Sequence, residues 1–117
     1  MKFQIELTVH TNEGASSSEI ITLEREGLSD DTLGLSLDEA KSLLTQLQQQ
    51  MVEQQVAAFT DEVRTCSCGC RHALKGHHTI HYFTLFGELQ LASPRFYTCS
   101  CQNSDTKSFS PLTHIFE

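Results

Sequence analysis

What the chain lacks narrows its classes first. No apolar run approaches the roughly 20 residues that span a bilayer, and no basic-then-apolar stretch opens the sequence. The expectation is a soluble, cytoplasmic chain with no membrane partner, in a reducing compartment where clustered thiols favour metal over disulfide. Bases are scarce: eight Lys and Arg against fifteen Asp and Glu leave a net charge of -7. That balance argues against indiscriminate nucleic-acid binding, whose affinity comes from neutralising phosphates. Length is short as well. A chain of 117 residues is one ordinary domain or two very small ones, and below roughly 70 residues a core usually needs a staple.

What is present is unevenly spread. Residues 1–63 hold three bases against twelve acids, net -9, while residues 64–117 hold five bases against three acids, net +2. The second part also carries five of the six histidines and all five cysteines. The change of sign marks an expected boundary between a first domain, 1–63, and a second, 64–117, and it places any nucleic-acid contact after Val63.

In the first domain, "KFQIELTVH" alternates Phe3, Ile5, Leu7 and Val9 with polar residues, the period of a strand with one buried face. "TNEGASSS" reads as a polar turn-forming loop and "EIITLERE" as a second strand, so residues 2–26 are expected to form a β-hairpin. A hairpin alone is marginal in water and must cover its apolar face. The cover expected is a long helix. Ser36 and Glu39 have the spacing of a capping box, and no Gly or Pro interrupts the chain from there to about Val63. Leu37, Ala40, Leu44, Leu47, Met51 and Ala58 make one apolar row; Val52, Val56, Phe59 and Val63 make another. Both rows as intramolecular core is the plainer expectation. The sharper one is that a row pairs with the same helix of a second chain in a homodimer, since such a helix reaches roughly 39 Å and outruns a small hairpin. "QLQQQ" and "EQQ" read as solvated helix face.

In the second domain, "CSCGC" at 66–70 and "CSC" at 99–101 flank "TIHYFTLFGELQL", a strand pattern with Gly87 placed for a turn, and extended structure is expected to resume after Pro94. Two thiol knots separated by a hairpin have the build of a zinc ribbon, in which two loops each supply two thiolates to a tetrahedral, structural Zn²⁺. The favoured ligands are Cys66, Cys68, Cys99 and Cys101. Knuckle spacing is usually two to four residues, so Cys70 and His72 stand as alternates. Cys68 is preferred to Cys70 because Gly69 follows it and lets the backbone offer an amide to sulfur. The spare thiol reads as a small hydrophobe or secondary donor. The whole chain is therefore expected to be α+β: a hairpin packed on a long helix, then a zinc-ribbon-like β module.

Several motifs in one order resemble a known family. "LGLSLDEAKSLL", "MVEQQVAAF", "KGHHTI", "TLFGELQLASPRFYTCSC" and "FSPL" are similar to the N-terminal region of bacterial insertion-sequence transposases of the Kra type, and the similarity runs through nearly the whole chain. The resemblance implies a hairpin and long helix, a Cys-Pro-x-Cys-Gly knuckle, a second knuckle, and then a catalytic domain of the Asp-Asp-Glu type. Aligned on "KG", the family's Cys-Gly falls on Cys68-Gly69. Its partner cysteine falls on Thr65, so Cys66 substitutes.

Family chemistry needs three carboxylates gathered on a sheet to hold two metal ions, in a domain of roughly 100 residues or more. Asp30, Asp31, Asp38, Asp61 and Asp105 fall instead in a turn, helix ends and a polar loop, where caps and solvated charges are expected. No catalysis is assigned to this chain. Ile115 and Phe116 would be odd in a frayed terminus, and the expectation is an excised N-terminal part or a free-standing remnant. The resemblance implies recognition of terminal inverted repeats in duplex DNA and pairing of protomers. Independently, Arg71, Lys75, His77 and His78 cluster beside the first knuckle with His72 and His81, and Arg95 in "SPRFY" adds a phosphate candidate. The opposing expectation is a protein-interaction or regulatory domain with a purely structural zinc and no nucleic-acid binding. A catalytic or redox thiol is disfavoured, because no acid or base is spaced to activate one thiol over its neighbours, although a spare Cys70 is able to react.

Overall fold

The computed structural model describes residues 1–101 and 107–116. It is an α+β protein with two small antiparallel sheets and one long helix. Two compact units, Met1–Gln50 and Met51–Glu117, divide the chain inside that helix. The charge boundary at Val63 falls thirteen residues beyond Gln50.

The first unit opens with β1 (Lys2–Thr11) and β2 (Gly14–Glu24), paired antiparallel. Strand β2 begins at Gly14, five residues before the expected start, so most of "TNEGASSS" is ladder and the turn is only Asn12-Glu13. Side chains explain the extension: Thr8 and Ser17 share a 2.9 Å hydrogen bond across the strands. The turn is closed by Thr11, whose hydroxyl accepts from the Glu13 amide and donates to the Gly14 carbonyl, both at 3.3 Å. Gly14 sits at φ 126°, a conformation that a Cβ disfavours. Ile5 pairs with Ile21 but Glu6 pairs with Glu19, so Ile20 is the extra residue of a bulge. Ile20 is also the one buried apolar residue among those described in this unit, at 6% exposure.

A single 3₁₀ turn, Asp30–Thr32, capped by Ser29, leads to helix α1 (Leu37–Val63). The capping box forms in both directions: the Glu39 amide donates to Ser36 Oγ at 3.1 Å, and the Ser36 amide donates to Glu39 Oε1 at 2.9 Å. Arg25 then ties the strand end to the helix start. Its Nη2 reaches both Glu39 oxygens at 2.7 Å, and the same guanidinium donates to the carbonyls of Glu24, Thr32 and Gly34. This guanidinium and the Ser36 amide hold the Glu39 carboxyl down to about 2. Ser18 donates to Gln50 at 2.7 Å, so Gln50 is a contact and not plain solvated face. Leu37, Leu44 and Met51, seven residues apart on α1, stay exposed.

In the second unit, β3 (Leu74–Thr84) and β4 (Gly87–Tyr97) form a second hairpin, with β5 (Ser108–Phe109) on the far edge of β4. Its turn repeats the first one: Thr84 accepts from the Phe86 amide and donates to the Gly87 carbonyl, with Gly87 at φ 119°. Strand β4 runs straight through Pro94 instead of resuming after it. Proline is tolerated because β5 pairs only with Phe96 and Tyr97, leaving that edge of β4 unpaired at residue 94 among the described residues. Ile80, Leu91 and Leu112 form the core, covered by Val52, Val56 and Phe59 of α1 and by Phe116 of the short helix α2 (Thr113–Phe116). Phe116 also meets Tyr82 edge-on at 5.2 Å, so this segment is packed. Two buried hydroxyls of this unit, those of Thr60 and of the fully buried Ser93, have no hydrogen-bond partner among the described residues.

Candidate metal centre

The first knuckle is a miniature hairpin. Thr65 and Arg71 form an isolated antiparallel bridge, the Cys66 amide donates to the Cys70 carbonyl, and the Gly69 amide donates to the Cys66 carbonyl, both at 2.8 Å. The last bond closes a four-residue turn, Cys66 to Gly69, in which Gly69 adopts φ 93°. Glycine is thus needed for the turn itself. The Gly69 amide goes to a carbonyl, and the amide that faces sulfur is that of Cys68, directed at Cys66. The second knuckle follows β4 directly and is anchored by Tyr97, whose amide donates to the Ala73 carbonyl at 2.9 Å, and by Thr98, whose amide donates to Lys107 at 3.0 Å.

These two turns place Cys66, Cys68, Cys99 and Cys101 with all four Sγ atoms within 4.8 Å of one another. Cys66 lies 3.3 Å from Cys101, and Cys68 lies 3.4 Å from Cys99. Cys66 is buried, Cys99 is half-buried, and Cys68 and Cys101 are exposed. Cys70 is exposed and outside the group. The Cys68 amide, donating to the Cys66 sulfur, and the hydrogen bond that sulfur shares with Cys101 hold the Cys66 thiol down to about 6, while the hydrogen bonds to Cys66, Cys99 and Cys68 push the Cys101 thiol up. Four sulfurs so arranged are able to hold one metal ion.

His72 is elsewhere. It is buried at 5% exposure, its Nδ1 lies 3.0 Å from the Tyr97 carbonyl, and its ring meets Phe109 edge-on at 4.8 Å. A carbonyl only accepts, so Nδ1 carries the proton and the ring pins the two knuckle-bearing segments together. Arg64 supports the same place, donating to the His72 carbonyl at 3.1 Å and lying 5.1 Å above the Phe96 ring. Neither residue's supporting role was visible in the sequence, because each depends on a partner more than seven positions away.

The basic residues are scattered around the foot of the second hairpin. Arg71 and His77 line one open groove of 490 Å³, together with Glu53, Thr60, Arg64 and Phe96. Asp61 also lines it, 3.6 Å from Arg71. Lys75 lies 5.8 Å above the Tyr97 ring and 3.5 Å from Ser108 Oγ. Arg95 pairs across the ladder with Gly76, and His77 and His78, being consecutive in β3, point to opposite faces. His81 faces Glu88 at 2.5 Å. Of the carboxylates, Asp30 and Asp31 are in the 3₁₀ turn, Asp38 is in the first turn of α1 and Asp61 in its last; Asp105 lies outside the described residues. No helix among the described residues is long and apolar enough to cross a membrane. No family model, curated protein or solved structure matches the chain.

Proposed function

We propose that Cys66, Cys68, Cys99 and Cys101 hold one Zn²⁺, that residues 64–117 form a zinc-ribbon-like module, and that the chain serves in recognition or assembly on DNA without catalysing a reaction itself. The four-sulfur cluster carries this reading. A tetrahedral zinc with Zn–S bonds of about 2.3 Å separates its sulfurs by about 3.8 Å, a value inside the range found here. Soft thiolates select zinc, copper(I) or iron, and sulfurs this close surround one ion and leave no room for a cluster with bridging sulfide. Bound there, zinc supplies cross-linking of two chain segments. The chain's own residues shape the site: Gly69 makes the turn, the Cys68 amide steadies Cys66, and His72 fastens the segment behind it.

The DNA part rests on the resemblance of "KGHHTI" and "TLFGELQLASPRFYTCSC" to insertion-sequence transposases and on Arg71, Lys75, His77, His78 and Arg95 at the foot of one hairpin. In this reading the β1–β2 hairpin covers the N-terminal part of α1, and Leu37, Leu44 and Met51 meet a second copy. One observation favours the alternative, an interaction domain with no nucleic acid: Asp61 sits against Arg71, and Glu53 lines the groove with it, so anions meet like charge there. Salt-dependent binding to an inverted-repeat duplex separates the two. Arg71→Ala with Lys75→Ala is expected to weaken binding and flatten its salt dependence at unchanged zinc content; indifference to DNA at low salt selects the interaction domain.

A further inference from the structure

We propose that the cysteine cluster is a reversible thiol-oxidation site: a peroxide converts it into two disulfides, Cys66–Cys101 and Cys68–Cys99, that close the same two segments the metal closes. This rests on the zinc reading for the group displaced, although the pairing itself rests only on the sulfur geometry.

Two of the cross-knuckle pairs are already near contact, at 3.3 and 3.4 Å. A disulfide needs about 2.05 Å between sulfurs, so each pair closes by a small side-chain movement. Each bond joins one knuckle to the other, so both pairings form together without exchanging partners. Pairing within a knuckle, Cys66 with Cys68 and Cys99 with Cys101, would instead sever the segments that the metal joins. Cys70 stands outside the group and has no partner sulfur in it. No acid or base has to single out one thiol here, since selection comes from the proximity of four.

In each pair one thiolate attacks a peroxide oxygen, breaking the O–O bond to give a sulfenic acid and, after protonation, water. The second thiolate then attacks the sulfenic sulfur and displaces hydroxide, which leaves as water. For the site as a whole, four thiolates give up four electrons, two peroxides and four protons become four waters, and Zn²⁺ is released. A thiol reductant with zinc reverses the change. Because both closures tie the end of β4 to the segment before β3, the oxidised, metal-free protein keeps the β3–β4 sheet, whereas the reduced, metal-free protein loses it.

The test uses the zinc-loaded full chain, titrated with hydrogen peroxide while a chromogenic chelator reads released metal. Free thiols are expected to fall from the five of the sequence to one, with one zinc released per two peroxides consumed. Trypsin leaves all five cysteines in two peptides, 65–71 and 96–107, so the pairing is read by partial reduction and stepwise alkylation. Cys70→Ser should end with no free thiol and the same release. Amide protection in β3 and β4 should survive oxidation. Disulfides within a knuckle, a bond to Cys70, or zinc release with irreversible sulfinic acid overturns the proposal. Should the protein prove to bind no metal, the same mapping on the reduced chain still decides the pairing, so a failed zinc reading and a failed oxidation site are told apart.

Discussion

Both units contain an antiparallel hairpin closed by Thr-x-x-Gly with the same two side-chain hydrogen bonds. In Met1–Gln50 only Ile20 is a buried apolar residue among those described, whereas Met51–Glu117 buries Ile80, Leu89, Leu91, Phe96 and Leu112. Each fully buried side chain of this kind contributes about 1.5–3 kcal/mol, so five against one decides which unit carries a true core. What the first unit has instead is polar: Arg25 joins the strand end to Glu39 and to three carbonyls. The contrast teaches that a period-two pattern builds a hairpin, and only a covering element builds a core. The covering comes from Val52, Val56 and Phe59 of α1 and from Phe116, with the four cysteine sulfurs gathered at the open end of the hairpin.

Four perturbations separate the units, and the strongest acts on the cluster. Cys99→Ser, or a strong chelator, should unfold Met51–Glu117, because the proposed structural zinc would supply on the order of 10 kcal/mol of folding free energy. Hydrogen exchange should show β3 and β4 amides losing protection while β1 and β2 change little. Next, Phe96→Ala in the zinc-loaded protein should cost about 3–5 kcal/mol, read as a lowered thermal midpoint, since Phe96 is 1% exposed between Arg64 and Phe109.

In the first unit the effects are smaller. Ser36→Ala removes one half of the capping box and should cost about 1 kcal/mol, visible as faster exchange in the first turn of α1 with no change in metal content. Least of all is the response to acid. The Glu39 carboxyl is depressed to about 2 by Arg25 and the Ser36 amide, so its stabilising contribution is complete above the ordinary carboxylate range near 4.5 and is lost as pH falls toward 2. The carboxyl carbon of Glu39 should titrate in that low window by NMR, and Arg25→Ala should move its midpoint upward. A midpoint near the ordinary value would remove Arg25 from the account.

Local signals were legible where a residue's partner is near in sequence. Ser36 and Glu39 are three apart and gave the helix start at Leu37; the uninterrupted run to Val63 gave its end. Alternation gave both hairpins, and two knots of thiols gave the four cysteines that the fold gathers. Distant dependencies were hidden. Arg25 looks like an ordinary surface base until residues 32–39 fold beside it, and His72 looks like a ligand until Tyr97 and Phe109 enclose it. Serines 16–18 lowered the strand propensity of β2 and concealed its true start, because the hydrogen bonds of Thr8 and Gln50 to two of them come from other segments. Pro94 suggested a break because nothing in the sequence says that its edge of β4 is unpaired.

The central claim is that two knuckles close around one metal ion, and native mass spectrometry of the full chain with alkylation of its thiols tests it most directly. One zinc per chain is predicted, with Cys70 alkylated quickly and Cys66, Cys68, Cys99 and Cys101 protected until a chelator is added. A metal-free chain with protected β3 and β4 amides and five equally reactive thiols would contradict it.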